Sequence, residues 1–150
     1  MLRAIPPRRT RANASWVNRA TFMSEELTDK HGARLPRVLV LEEHADTLVS
    51  LGKLLSAIPV DAVPTASCNA ARYAAQTLGA FDILIANATL TDGNGVELAT
   101  ELCRKHGCAV VIMSSFDPPA EGLPEGVDLW LVKPILFPQL RRAIETLAGA

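Results

Sequence analysis

Four short apolar runs and one less clear strand candidate, separated by stretches with helical periodicity, constrain this sequence most strongly. The apolar runs cover residues 38–41, 83–86, 109–113 and 129–132, and the strand candidate covers residues 60–63. Aliphatic runs without polar alternation are typical of parallel strands that are buried on both faces, and parallel strands are joined by helical crossovers. The sequence therefore predicts an α/β fold: a doubly wound, five-stranded parallel sheet in a three-layer sandwich.

The segments between the runs carry the apolar spacing of amphipathic helices. Apolar residues three and four positions apart lie on one helix face. Ser67 and Gly79 are placed to begin and end one such helix. The clearest stripes are Leu48/Leu51/Leu55, Val96/Ala99/Leu102 and Leu140/Ile144/Leu147.

Composition excludes several classes of protein. The 150 residues are 49% hydrophobic and 21% charged, which is ordinary for one soluble globular domain and excludes a wholly disordered chain. No apolar run reaches the roughly 18 residues that a membrane helix needs. The three cysteines are an odd number without a CxxC pair, so we expect neither a disulfide framework nor a structural zinc site. This use of cysteine indicates a cytoplasmic location.

The charge is distributed unevenly along the chain. Residues 1–23 carry five arginines and no acidic residue, whereas the remainder is acidic, which argues against nucleic-acid binding by the folded part. We expect residues 1–36 to be a disordered basic leader and linker, and residues 37–150 to form the domain. The alternatives for the leader are a segment that contacts acidic partners, a transit-like segment, or a chain whose true start is Met23.

Polar residues follow four of the predicted strands. They are Glu42-Glu43, Asn87, Ser114 and Lys133. Because the functional site of a doubly wound sheet lies at the carboxyl ends of its strands, these side chains are expected at one edge. Adjacent carboxylates suit a hard cation such as magnesium, and a hydroxyl with a lysine suits phosphate oxygens.

The order and spacing of four segments resemble the receiver domain of bacterial two-component response regulators. The segments are RVLVLEE at 37–43, FDILIANATLTDGNG at 81–95, AVVIMSS at 109–115 and DLWLVKP at 128–134. The resemblance covers residues 37–148 and implies a flavodoxin-like fold. It also implies a role in phosphorelay signalling through histidine kinases or other signalling proteins.

The resemblance assigns roles to residues at the strand ends. Glu42 and Glu43 correspond to the acidic pair that helps to hold magnesium, with longer side chains than the usual aspartates. Asn87 falls at the phosphate-accepting position, where the family has an aspartate. An amide is a poor nucleophile, and asparagine in place of aspartate removes one negative charge from the metal site. We therefore expect no required cofactor, with weak magnesium binding at most.

Three further positions complete the implied site. Ser114 corresponds to the residue that reads the phosphoryl group, Lys133 to the lysine that pairs with it, and Trp130 to the aromatic switch. The spacing between Ser114 and Lys133 is shorter than the family's, and the intervening segment holds three prolines. Because proline is excluded from helix interiors, the fourth helix is predicted to be shortened or missing.

These features predict a stand-alone pseudo-receiver that acts by protein–protein interaction without aspartyl phosphorylation and is not an enzyme. Its expected partner is a histidine kinase, another signalling protein or a second copy, not nucleic acid or a membrane. One alternative is a receiver phosphorylated on Ser114, Thr89 or Glu43. A small α/β enzyme or nucleotide-binding protein is a further alternative, but the dinucleotide, P-loop and nucleophile-elbow motifs are lacking.

Overall fold

The computed structural model describes residues 27–149. The basic leader predicted from the sequence lies, up to residue 26, outside the described residues. The elements follow one another as strand and helix almost throughout. In chain order they are β1 (Arg37–Leu41), α1 (Ala45–Ser56), β2 (Asp61–Thr65), α2 (Cys68–Leu78), β3 (Ile83–Asn87), β4 (Thr89–Leu90), β5 (Gly93–Asn94), α3 (Gly95–His106), β6 (Ala109–Ser114), β7 (Leu129–Val132) and α4 (Phe137–Ala148).

Five of the strands form one parallel sheet in the order β2-β1-β3-β6-β7. The order of the strands reverses beside β1, so the chain has a flavodoxin-like topology with a crevice at the carboxyl ends of β1 and β3. The remaining two strands, β4 and β5, form a short antiparallel pair directly after β3. The predicted doubly wound α/β fold is confirmed.

Two apolar layers enclose the sheet. On one face, side chains of α2 and α3 pack against alternate strand residues such as Leu39, Leu84 and Ile112. On the other face, α1 and α4 pack against Val40, Ile85 and their neighbours. The three central strands are buried on both faces, which explains their lack of polar alternation.

The connection between β6 and β7 contains no helix in the described chain. Pro118, Pro119 and Pro124 lie within it, and each lacks the backbone donor that a helix interior requires. The loop is anchored to the domain by Val127, which is buried beside α3, and by the Asp128 carboxylate, which accepts from the Val110 N–H at 2.8 Å. The predicted loss or shortening of this helix is confirmed.

The residues before β1 make specific contacts with the domain. Thr28 and Arg34 form an isolated antiparallel bridge. The Arg34 guanidinium contacts both oxygens of Asp82, at 3.2 and 3.3 Å. This contact ties residues 27–36 to the amino end of β3. None of the described helices is long and apolar enough to cross a bilayer.

Cys103 and Cys108 are joined by a disulfide, contrary to the expectation from the cysteine count. The physical reason is the turn between α3 and β6. Gly107 has a left-handed conformation, and the N–H groups of Gly107 and Cys108 both donate to the Cys103 carbonyl. The turn folds Cys108 back onto the helix and brings the two Cα atoms to 4.5 Å, while Cys68 stays a free thiol.

Removal of this bond is expected to destabilise the oxidised protein. For a loop this short, Cys108→Ser should lower the free energy of unfolding by about 2 kcal/mol in the absence of reductant. Urea unfolding followed by circular dichroism measures the loss. Thiol titration of the unfolded, unreduced protein should find only Cys68 in the parent, and both Cys68 and Cys103 in the variant. If the difference between variant and parent persists in reductant, side-chain packing rather than the disulfide is responsible.

Candidate functional site

Glu42 and Lys133 form an ion pair across the carboxyl edge of the sheet. Glu42 follows β1 and is completely buried, while Lys133 follows β7 with 21% of its side chain exposed. The Lys133 ammonium lies 3.4 Å from a carboxylate oxygen of Glu42. The backbone holds both residues in place: the Glu42 N–H donates to Thr65, and the Lys133 N–H donates to Ser114. The peptide bond between Lys133 and Pro134 is cis.

Glu43 points to a different partner from that of Glu42. Its carboxylate accepts from the Thr91 hydroxyl at 2.7 Å and from the Thr91 N–H at 3.2 Å. The bond from the hydroxyl, and after it the weaker effect of the N–H, hold the pKa of Glu43 below its ordinary value. The two adjacent glutamates are thus engaged separately, one by an ammonium and one by the loop after β3.

Thr91→Val is expected to raise the pKa of Glu43 because it removes the hydroxyl that favours the charged carboxylate. A depressed folded-state pKa contributes stability above the unfolded value, and that stability is lost as the pH falls through the folded value. The part of the stability gap that comes from this pKa should therefore be present at neutral pH, shrink once the pH falls below the ordinary 4.5, and disappear as the pH passes the lowered pKa of the folded protein. NMR titration of the Glu43 carboxyl carbon measures the shift. The matched Thr89→Val should leave that titration unchanged.

Asn87 ends β3 at the bottom of the crevice and is 9% exposed. Its side-chain amide donates to the Thr89 carbonyl at 3.1 Å, which turns the side chain toward the loop. The close approach of α3 fixes this end of the strand. Gly95 donates its N–H to Ala88, and a Cβ at Gly95 would overlap the Asn87 carbonyl oxygen.

Ser114 and Trp130 occupy the neighbouring part of the edge. Ser114 ends β6, is buried, and accepts the Phe116 N–H at its hydroxyl. The half-buried Trp130 donates its indole N–H to the Phe116 carbonyl at 2.9 Å. Within the described residues, Glu42 and Lys133 are therefore the predicted residues whose side chains contact each other, Ser114 meets Lys133 through the backbone, and the side chains of Glu43, Asn87 and Trp130 each contact a loop.

The donor chemistry suits a hard cation, but the carboxylates already have partners. Glu42 neutralises Lys133, and Glu43 is hydrogen-bonded to Thr91. Over residues 27–149, no three side chains of histidine, cysteine, aspartate or glutamate gather into a metal-binding group. Glu42 and Glu43 are the residues of the predicted set that could hold such a cation, and each is engaged by another group.

A depression of about 360 Å³ lies at the opposite edge of the sheet, where Asp82, Gly107 and Asp128 line it. The sequence pattern did not identify Thr91 as a site residue. The only signal was its place in the turn-forming segment that follows β3, where a hydroxyl is unremarkable.

No protein-family model and no curated protein matches this sequence. Solved structures do match the fold. A response regulator receiver domain protein from Clostridium thermocellum is 20% identical with a TM-score of 0.68, covering 77% of this chain and 95% of that one. A CheY-like receiver domain from Methylobacillus flagellatus is 23% identical with a TM-score of 0.66, covering 75% and 98%.

A third solved structure contains magnesium. The response regulator protein TrrA of Thermotoga maritima, solved in complex with Mg(2+)-BeF, is 18% identical with a TM-score of 0.67 and covers 75% of this chain and 99% of that one. At these identities the likeness concerns the backbone architecture. The sheet order, the crevice beside β1 and these matches agree, and the chain has the fold of response regulator receiver domains.

Proposed function

We propose that this protein is a pseudo-receiver of two-component signalling, which acts by binding other proteins and is not phosphorylated on an aspartate. The observation that carries the proposal is Asn87 at the carboxyl end of β3. In a receiver, this is the strand end from which a carboxylate would attack a phosphoryl donor. The Asn87 amide is a poor nucleophile, and its nitrogen is bonded to the Thr89 carbonyl.

The charges at the edge support the same conclusion. Lys133, the cation that would meet a phosphoryl group, is already neutralised by Glu42. Because Glu42 is completely buried, separating this pair leaves an unpaired carboxylate in the protein interior, which is costly. The resting arrangement is therefore self-sufficient, and no bound phosphate is needed to neutralise Lys133.

Magnesium, when bound, would shield negative charge between carboxylate and phosphate oxygens, and Glu42 and Glu43 are the residues that could hold it. Two engaged carboxylates bind a divalent cation more weakly than a three-carboxylate site. We accordingly propose a non-enzymatic role that requires no cofactor. The cytoplasmic location that we also propose rests on the partner class alone, because the Cys103–Cys108 disulfide contradicts the cysteine argument for a reducing compartment. The partner class is a histidine kinase or another signalling protein.

The proposal is tested by incubation of the unmodified protein with acetyl phosphate and magnesium, followed by intact-mass analysis. We expect no gain of a phosphoryl group, with an aspartate-bearing receiver protein as the positive control. A gain on the protein would overturn the proposal, and peptide mapping would then identify the modified residue.

The contacts of the three alternative acceptors do not favour phosphorylation. Ser114 is buried, and its hydroxyl oxygen is occupied by the Phe116 N–H. Glu43 is held by Thr91, and its pKa is lowered, which weakens it as a nucleophile. Thr89 is exposed and has no hydrogen-bonded base among the described residues.

A further inference from the structure

The absence of a helix between β6 and β7 leaves apolar side chains uncovered. Trp130 and Val132 share the sheet face on which α2 and α3 pack, and both are partly exposed. Phe116 is 78% exposed beside Trp130, to which its carbonyl is bonded. We call Phe116, Trp130 and Val132 the β7 patch. Exposed apolar side chains that lie in one region of the surface mark interaction sites more often than scattered single ones.

The loop that borders the β7 patch is acidic. Residues 116–128 contain four acidic residues and no basic one. Asp117, Glu121 and Glu125 are exposed, and none has an ion-pair partner within residues 27–149, whereas Asp128 is bonded to the Val110 N–H at the opposite edge of the sheet. A segment that covers the patch therefore meets a negative rim, and like charges in a partner would be repelled.

We propose that the arginine-rich segment 1–23 of this chain docks on the β7 patch and the acidic loop. The segment carries five arginines and no acidic residue, so its charge is opposite to that of the loop. It also carries Trp16 and Phe22, which supply apolar surface for the patch. Trp and Arg are among the residue types that are enriched at the energetic hot spots of protein interfaces.

The point at which the segment joins the domain permits this contact. Leu27 pairs with Leu35, and Arg34 is bound at the amino end of β3. β7 lies two strands from β3, about 10 Å across the sheet. A segment of 23 residues spans up to about 75 Å when extended, so its reach is ample. Tethering also gives it a high effective concentration at the patch compared with any separate partner.

The experiment measures how well Trp130 is shielded in the full chain. In a Trp16→Phe background, Trp130 is the remaining tryptophan, and acrylamide quenching of its fluorescence reports its exposure. Reversal of two leader charges by Arg8→Glu with Arg9→Glu should raise the quenching constant about twofold at low salt. In about 1 M NaCl, where charges are screened within about 3 Å, the difference between the two proteins should shrink.

Two further variants keep the test specific. Glu121→Arg with Glu125→Arg, added to the reversed leader, should restore the shielding because the charges are again opposite. Arg141→Glu with Arg142→Glu makes the same change of charge at another Arg-Arg pair, which is exposed on α4 against the other sheet face, and should leave quenching unchanged.

Three results would overturn the inference. Quenching that does not respond to the leader charges shows that segment 1–23 does not cover Trp130. If Arg141→Glu with Arg142→Glu raises the quenching constant equally, the net charge of the protein, and not docking of the leader, determines the exposure of Trp130. Shielding that rises with protein concentration, together with a dimer in sedimentation, assigns the patch to a second copy of the chain.

Discussion

Asn87→Asp is expected to accept one phosphoryl group from acetyl phosphate in the presence of magnesium, where the unmodified protein accepts none. The substitution is isosteric and supplies the carboxylate nucleophile at the carboxyl end of β3. It also raises the number of carboxylates at the edge from two to three, which strengthens binding of a divalent cation. Intact-mass analysis gives the result directly, and removal of magnesium by chelation should abolish the gain.

The same variant should change its response to magnesium before any phosphate is added. Without the cation, a third carboxylate close to Glu42 and Glu43 destabilises the fold by like-charge repulsion. Added magnesium should then raise the Tm of the variant more than that of the parent. Asn87→Ala serves as the control and should show neither effect. A variant that gains no phosphoryl group would mean that the edge has lost more than its aspartate.

Lys133→Met is expected to lower the free energy of unfolding by about 3 kcal/mol. The substitution removes the cation that neutralises Glu42, whose side chain is completely buried. Loss of one partner of a buried ion pair costs about 3–5 kcal/mol, and the partial exposure of Lys133 places the expected loss at the lower end. Urea unfolding followed by circular dichroism measures this loss.

A double variant distinguishes the charge effect from lost packing. Glu42→Gln added to Lys133→Met removes the stranded carboxylate and should recover most of the stability. Glu42→Gln alone should cost less than Lys133→Met, because the ammonium that it leaves can reach solvent. Additive losses in the double variant would contradict a direct coupling between these two residues.

The architecture was predictable because its signals are local and periodic. Runs such as 83–86 lack polar residues because both faces of their strands are buried. The lack of polar alternation therefore indicated helices on both faces of the sheet as well as the strands themselves. The loss of the helix between β6 and β7 was equally predictable, since three prolines in one short segment remove backbone donors that a helix interior requires. The disulfide was not, because only the fold of the turn at Gly107 brings Cys103 and Cys108 together.

The candidate site was predictable in its members but not in their contacts. Strand ends placed Glu42, Asn87, Ser114 and Lys133 at one edge, because parallel strands all end on the same side. Position along the chain does not determine the direction of a side chain.

The sequence by itself therefore determined the fold, the missing helix and the identity of the amide at the end of β3. All of these follow from residue type and spacing. Only the tertiary structure decided that Lys133 neutralises Glu42 and that Thr91 engages Glu43. Those pairings depend on distances of a few ångströms between residues nearly 50 to over 90 positions apart in the chain. Such distances are set by the packing of the whole sheet, which no local pattern encodes.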